Sequence, residues 1–450
     1  MSRYVKIDRG LNINLAGEAD KTVSNHTQSE TYSVFPSDFC GLSPKLLVKE
    51  GDEVLAGSPI WYDKNNEAIK YSAPVSGEVI GVIRGDKRKV LEIKILADRE
   101  VRYLEHGAIG SAGLSRETII EHLLKSGVWP FIRQRPFGIV ADPQNLPKSI
   151  FISAFDSNPL APDIEFVLKG KEALFQSGLD VLQTLTSGKV HLNLHAELNS
   201  SSFSNFRNVQ LNKFSGPHPS GNVGVQIHHI DPLNKGEFIW TVNPQDVVAI
   251  GNLFENGIYD ARKIITVAGS QIQKPVYYQV LGGCSIKSLL KDAGLKDGEN
   301  RIISGSVLNG SRISPDGSLG FYDTQVTVIP EGNHPEFLGW LSPGLNKFSV
   351  SRSFFSWLNP SKKHELDTNL HGEERPFVVT GQYEKVFPMD IYPVQLLKSI
   401  LIEDIEQMEK LGIYEVVEED FALCEFVCTS KIKSQEIVRR GLDMIRSEFS

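Results

Sequence analysis

Residues 127–138 read GVWPFIRQRPFG and interleave aromatic side chains with guanidinium groups. Trp129, Phe131 and Phe137 offer flat apolar walls. Arg133 and Arg135 offer donors that can hydrogen-bond a carbonyl and stabilise negative charge developing on it. This combination suits a planar, weakly polar ligand such as a quinone. Residues 33–42, SVFPSDFCGL, have a similar amphipathic character, so Phe35 and Phe39, with Asp38 between them, join the candidate site. The alternative reading of the same residues is a loop that packs its aromatics inward and pairs its arginines with carboxylates.

A second signal lies in residues 65–80, NNEAIKYSAPVSGEVI. A lysine followed by Ala-Pro-x-x-Gly has the look of a biotin or lipoyl carrier hairpin, where the lysine sits at an exposed tip. Lys70 stands too close to Pro74 for that role, and the tip falls on Asn65 and Asn66, which carry no amine. A one-residue slip in a strand turns a side chain to the other face, so near misses count for little. Lys70 reads as a strand lysine in a carrier-shaped domain without cargo.

The remaining chemistry-bearing groups give weaker signals. Cys424 and Cys428 stand one helical turn apart and are too few for a four-thiolate cluster or a structural zinc site. They read as small buried hydrophobes. His191 and His195 fall on a probable strand, where that spacing separates side chains by roughly 13 Å, too far to share a metal. His218, His228 and His229 fall in GPHPSGNVGVQIHHIDP, which reads as a shaped loop, strand and turn at a contact. No phosphate-binding loop, dinucleotide fingerprint or nucleophile elbow is present. Catalytic and metal-ligating residues are therefore not assigned.

The elements that must position these groups fall into five stretches. Residues 1–104 are rich in short apolar runs broken by Gly, Pro and Asp, which suggests a small barrel or sandwich. In 105–257 strands alternate with helices, as in an α/β domain. There Ser115 caps a helix that stops at Gly127. SIFISAFD and KVHLNLHAE read as strands, and residues 162–185 read as helix broken at Gly170 and Gly178. Residues 258–332 follow the order strand, strand, helix, strand of a small α+β module. Residues 333–385, rich in Pro, Ser, Asn and His, read as a linker. Residues 386–450 are helical, beginning near Pro393 with a stripe of Leu396, Leu397, Ile400, Leu401, Ile405 and Met408.

Composition sets the outer bounds. The 450 residues carry a net charge of −8 with no Lys/Arg-dense run, which argues against a nucleic-acid surface. The opening residues lack the apolar core of a signal peptide, and no apolar stretch is long enough to span a bilayer. Four cysteines in a chain of this length make no disulfide framework. The expectation is a cytoplasmic protein that can dock on a membrane complex.

Several segments together resemble the NqrA family of the sodium-translocating NADH:quinone oxidoreductases (Na+-NQR). They are KIDRGLNINLAG, LLVKEGDEVLAG, SAPVSGEVIGVIRGDKRKV, RQRPFG, SAFDSNPLAPD, SGPHPSGNVGVQIHHIDP, VFPMDIYPV and LCEFVC, in family order from end to end. The resemblance implies a biotinyl/lipoyl-carrier-like barrel-sandwich domain, a Rossmann-like domain, a ubiquitin-like β-grasp module of SLBB type and a helical C-terminal domain. It also implies kinship with the soluble subunits of Rnf complexes and with the flavin subunit of complex I. Those relatives hold flavin on a glycine-rich loop and clusters on closely spaced cysteines. This chain has GVWPFIR in the comparable place and only Cys424 and Cys428. The resemblance therefore implies a peripheral subunit on the cytoplasmic face of the bacterial inner membrane, without flavin or cluster of its own. Its partners would be the other Na+-NQR subunits, B to F, in a complex that uses NADH, flavins, an iron–sulfur cluster, quinone and Na+. It would support quinone reduction, with Trp129, Phe131, Arg133, Arg135, Phe137, Phe35 and Phe39 as candidate contacts. The alternative is a docking scaffold with no substrate site.

Overall fold

The computed structural model describes residues 3–24, 26, 28–197, 203, 205–334 and 336–448; positions 1–2 and 449–450 of the expected first and last domains lie outside them. Long apolar runs such as Ile150–Ile152 and the alternation Val190, Leu192, Leu194 place two fully buried strands at the middle of a seven-stranded sheet. From edge to edge this sheet runs Arg3–Lys6, Gln210–Ser215, Lys189–His195, Ser149–Ser153, Ile239–Val242, Ile132–Arg135 and Ile139–Val140. The first five strands are parallel, and the last two are joined by antiparallel pairing, so that only Ile132–Arg135 runs against the rest. Parallel strands covered on both faces need apolar residues on both, which is why their sequences look continuous.

Helices cover the sheet. Helix Arg116–Ser126 starts where Thr118 N–H donates to the Ser115 hydroxyl and ends at Gly127 in the left-handed region, as its cap residues predict. Gly170 (φ 80°) breaks the next helical stretch into Ile164–Leu168 and Glu172–Leu185. Gly178 does not break it. A Cβ there would stand 2.1 Å from the Val247 carbonyl oxygen, and one at Gly251 would stand 1.9 Å from that of Leu174. The two glycines let helices Glu172–Leu185 and Pro244–Asn256 approach to backbone contact. Residues 223–230, expected as strand, form helix Val223–Ile230 instead. Its buried residues Gly224, Val225, Gln226 and Ile227 are consecutive, so the segment lacks the one-sided pattern that would announce a helix.

A second sheet of six strands runs Ser311–Ile313, Asn300–Ser304, Gln325–Pro330, Arg262–Ala268, Val276–Leu281 and Asp20–Ser24, and helix Ile286–Ala293 belongs to the same module. The sandwich consists of a four-stranded sheet (Thr31–Val34, Val90–Ala97, Gly77–Arg84, Glu53–Val54) and a three-stranded one (Pro44–Leu46, Pro59–Asp63, Asn66–Ser72). Lys70 lies on the last of these strands opposite Tyr62, and residues 64–65 form the turn. Within the expected domain over 1–104, the first residues reach beyond the sandwich. Arg3–Lys6 adds a strand to the seven-stranded sheet and Asp20–Ser24 adds one to the six-stranded sheet. Each satisfies backbone groups that a bare sheet edge would leave open.

The sandwich, the seven-stranded module and the six-stranded module share one continuous apolar core. The tail has its own, built from Leu396, Leu397, Ile400, Met408, Val438 and Leu442, and it extends onto Ile7, Phe214 and Val225. Residues 333–385 are more than a tether. His364 exchanges backbone hydrogen bonds with Asn14 and Ala16 (2.7 and 2.9 Å), and Thr368 accepts from Gly332 N–H. The tail is locked to the seven-stranded sheet by Arg135, whose guanidinium donates to Asp420 Oδ2 (3.0 Å) and Glu419 Oε1 (2.7 Å) in a buried position.

Two expected outcomes follow from this packing. Gly251→Ala should lower stability by about 1–3 kcal/mol from overpacking, outweighing alanine's better helix propensity of about 1 kcal/mol. Urea denaturation would show a lower midpoint; a raised midpoint would contradict the backbone contact. Arg135→Ala should cost about 3–5 kcal/mol, because it strands the Asp420 carboxylate without its partner. The same measurement, with Asp420→Asn in a double-mutant cycle, should find strong coupling between the two.

Candidate functional site

The three modules that share a core also leave a gap where they meet. A narrow cavity, about 30 Å³ inside and about 530 Å³ with its open mouth included, is walled by Val34 and Asp38 from the sandwich. Phe131, Asp246 and Tyr259 come from the seven-stranded module, and Lys263, Gly283, Leu319 and Phe321 from the six-stranded one. Its aromatic side is a stack. The Phe131 ring lies parallel to Tyr259 (centroids 5.9 Å, 2°) and close to Phe321 (5.3 Å, 22°). Phe39 meets the same Phe321 at 4.7 Å and Tyr71 at 4.5 Å. Offset and edge contacts of this kind hold rings in fixed planes.

Local structure fixes the polar side. Asn243 caps helix Pro244–Asn256 by accepting from Gln245 N–H, which places Asp246 in the first turn. The Gln245 side chain then pairs in both directions with the backbone of Ile264 (2.8 and 2.7 Å), tying this helix start to strand Arg262–Ala268. That strand carries Lys263, whose ammonium donates to the carbonyl oxygens of Phe321 (2.5 Å) and Asp323 (3.2 Å). Asp38 accepts from Phe321 N–H at 2.8 Å, and Asp323 accepts from Ser304 Oγ at 2.5 Å.

Burial dominates the electrostatics. It pushes the Asp246 carboxyl up to about 7, against the opposing pull of Lys263 and Arg133. It lifts Asp38 to about 6 and raises Asp323. It lowers Lys263, and the nearby carboxylates of Asp246, Asp323 and Asp38 only partly restore its charge. Taking a charge out of water costs more than these partners return. Asp246 accepts no hydrogen bond from another described side chain or backbone amide, and it is half-buried on the cavity wall. The arrangement lines a narrow cavity with stacked aromatic rings and an acid whose pKa burial raises to about 7.

The sequence-predicted residues divide between this site and elsewhere. Phe131 lines the cavity and Phe39 supports its wall. Arg133 sits 4.9 Å from the Tyr322 ring centroid, a cation–π contact behind the cavity. The others are placed elsewhere. Trp129 is in the core, edge-on to Trp240 at 5.4 Å, with its indole N–H on the Ala141 carbonyl oxygen (2.7 Å). Arg135 is spent on Asp420 and Glu419, and Phe137 faces Tyr414 of the tail. Phe35, half-buried ahead of the turn Pro36–Asp38, is not part of the wall. The strand geometry explains the split: Ile132–Arg135 runs away from the cavity toward the tail, so only its beginning reaches the site.

Sequence reasoning missed Asp246, Tyr259, Lys263 and Phe321. One signal was available for Lys263: strand alternation puts it on the face of Ile265 and Val267, both fully buried. Asp246 looks like any acid in a first helical turn.

The histidines and cysteines singled out by their spacing have structural partners. His191 stacks on Phe151 and His195 sits edge-on to Phe155. His218 meets Ser157 Oγ at 3.0 Å, His228 meets Glu415 at 2.7 Å, and His229 meets the Val225 carbonyl oxygen. Cys424 and Cys428 are buried free thiols.

Three family models match in chain order. They are the NqrA N-terminal barrel-sandwich hybrid domain over residues 5–98, the NqrA second alpha/beta domain over 114–259, and the NQRA C-terminal domain over 264–314. The chain is 39% identical over 448 residues to the A subunit of the Na(+)-translocating NADH-quinone reductase of Rhodopirellula baltica, covering 98% of each chain. It is 38% identical to the corresponding subunit of Cellvibrio japonicus (99% of this chain, all of that one) and 37% identical to that of Marinomonas sp. (98% and 99%). With near-complete coverage in both directions and the family's domains in order, the chain belongs to the NqrA family, the A subunits of the Na(+)-translocating NADH-quinone reductases.

Proposed function

We propose that this chain works as the A subunit of a sodium-pumping NADH-quinone reductase and that the cavity between its three modules receives the quinone ring. The observation that carries the second part is the Phe131–Tyr259–Phe321 stack beside Asp246 and Lys263. A quinone stacks on the aromatic wall, and Lys263 or protonated Asp246 donates to a carbonyl oxygen. When two electrons arrive from the redox subunits, two protons complete the quinol, and Asp246 supplies one of them. Phe131 and Phe39 keep their proposed roles, Phe39 through Phe321. Arg133 acts at a distance through its charge.

The wider reading goes with this one. We read the seven-stranded module as Rossmann-like, from its parallel strands with helical crossovers, and the six-stranded module as a β-grasp of SLBB type, from its strand order. The subunit holds neither flavin nor cluster: the place of a glycine-rich loop is taken by the buried Val128–Ile132, and burial raises the Cys424 thiol far from thiolate formation. It sits on the cytoplasmic face of the inner membrane against the other subunits, B to F. No described helix is long and apolar enough to cross a membrane, which agrees with a peripheral place.

Purified full-length protein titrated with a soluble short-chain quinone should show saturable binding, about 10-fold weaker for Phe131→Ala (about 1.4 kcal/mol). Absence of saturable binding by the wild type would overturn the cavity assignment. The premise that Asp246 titrates near neutrality has its own check. Its pKa rises on folding, so its contribution to stability is complete below the unfolded value near 4 and is lost as pH rises through about 7. Going from pH 5 to 8, Asp246→Asn should therefore gain thermal stability relative to wild type, read as the difference in Tm. A constant difference would contradict the raised pKa.

A further inference from the structure

The chain carries net charge −8, yet residues 337–363 contain Lys347, Arg352, Lys362 and Lys363 and no Asp or Glu. The same stretch holds an unusual density of exposed apolar side chains. Phe337 is 94% exposed, Leu341 62%, Leu345 61%, Phe355 56%, Trp357 48% and Leu358 64%. Water-facing side chains of this size are normal when scattered singly, but a run of them marks a contact surface. Little in the fold asks for them here. Between the short turns Gly339–Leu341 and Phe355–Leu358 the backbone makes no strand or long helix.

We propose that residues 337–363 are a bilayer contact, seating this subunit directly on anionic lipid. Two features favour lipid over a protein groove. First, the stretch carries four basic residues and no acid of its own, and Arg352 and Lys362 have no acidic partner among the described residues, so it turns positive charge toward anionic headgroups, each unpaired basic residue near the surface adding about 1 kcal/mol. Second, the apolar residues are bulky and aromatic on turns rather than on one helical stripe. Phe and Trp held that way dip to the headgroup boundary, while the basic side chains stay at the phosphates. The cations are held beside the apolar tips. Lys347 ion-pairs with Glu336 and donates to the Gly339 carbonyl oxygen, Lys362 donates to the Leu345 carbonyl oxygen, and Lys363 ion-pairs with Glu18. The stretch is fixed to the body through Phe348, which meets His364 at 5.5 Å and Phe426 at 5.8 Å. The contact is independent of the quinone cavity, which is lined by other residues.

The test is co-sedimentation of the purified full-length chain with extruded vesicles. Neutral phosphatidylcholine vesicles are compared with vesicles in which about a third of the lipid is phosphatidylglycerol. Binding is expected to the anionic vesicles, weakening as salt rises and the Debye length shortens. The variant Phe337→Ser/Leu341→Ser/Trp357→Ser, whose altered side chains all face water, should keep wild-type Tm and quinone titration. It should lose about 10-fold or more in vesicle partitioning. Arg352→Glu/Lys362→Glu should lose a similar factor on anionic vesicles only. Failure of the wild type to bind anionic vesicles at low salt, or partitioning of both variants equal to that of the wild type, would overturn the proposal. So would vesicle binding that stays intact while the apolar variant fails to join the membrane subunits in lipid-free detergent, because the surface would then be a protein contact.

Discussion

Phe321 is the place where three separately built modules touch. It belongs to the six-stranded module, its ring meets Phe39 of the sandwich and Phe131 of the seven-stranded module, and its backbone N–H and carbonyl oxygen are bound by Asp38 and Lys263. Each ring contact is small, and their effect is to fix relative position. Because the modules share one apolar core, none can rotate without moving these rings. The cavity is thus a property of the assembly of modules. No single module contains enough of its wall to bind anything.

The polar half of the cavity is unfavourable by itself. Three carboxyls and an ammonium are held where water is scarce, and burial shifts the affected groups toward their neutral forms. A core built only for stability would replace such a set with apolar residues. The Arg135–Asp420 pair is also buried, but it differs in kind. Its geometry is bonded on both sides, and its position between sheet and tail explains it as a joint. Lys263 donates to the carbonyl oxygens of Phe321 and Asp323, whereas the Asp246 carboxyl has no hydrogen-bond partner among the described residues, and this contrast singles Asp246 out.

Much of the architecture was legible in the sequence, for local reasons. Ser115 and Gly127 bracket their helix through cap chemistry, Pro393 opens another, and the alternating runs of the sandwich are strands. The carrier lysine could be dismissed by spacing alone, and Lys70 lies on its strand as read. What was not legible depends on distant partners. Arg133 and Arg135 are two residues apart and chemically alike; only the tertiary structure sends one to Tyr322 and the other to Asp420. Gly178 looks like a helix breaker because the sequence does not reveal that another helix presses its backbone there. The site was half legible: its aromatic wall announced itself in Phe131 and Phe39, while its acid hid in an ordinary helix start.

The two strands Arg3–Lys6 and Asp20–Ser24 have a particular place in this design. Arg3–Lys6 can pair only with Gln210–Ser215, and the Tyr4 hydroxyl finds Ser215 Oγ 211 positions later. Asp20–Ser24 must wait still longer, for Val276–Leu281. During translation the emerging chain therefore carries two strands without sheets, and later two sheets with bare edges. Long-range closures of this kind are slow and leave edges open to other chains while they last. These early strands are seated late, so a nascent chain halted before Ile239–Val242 can finish neither of its two larger sheets, and the six-stranded one stays open until Gln325–Pro330 is made.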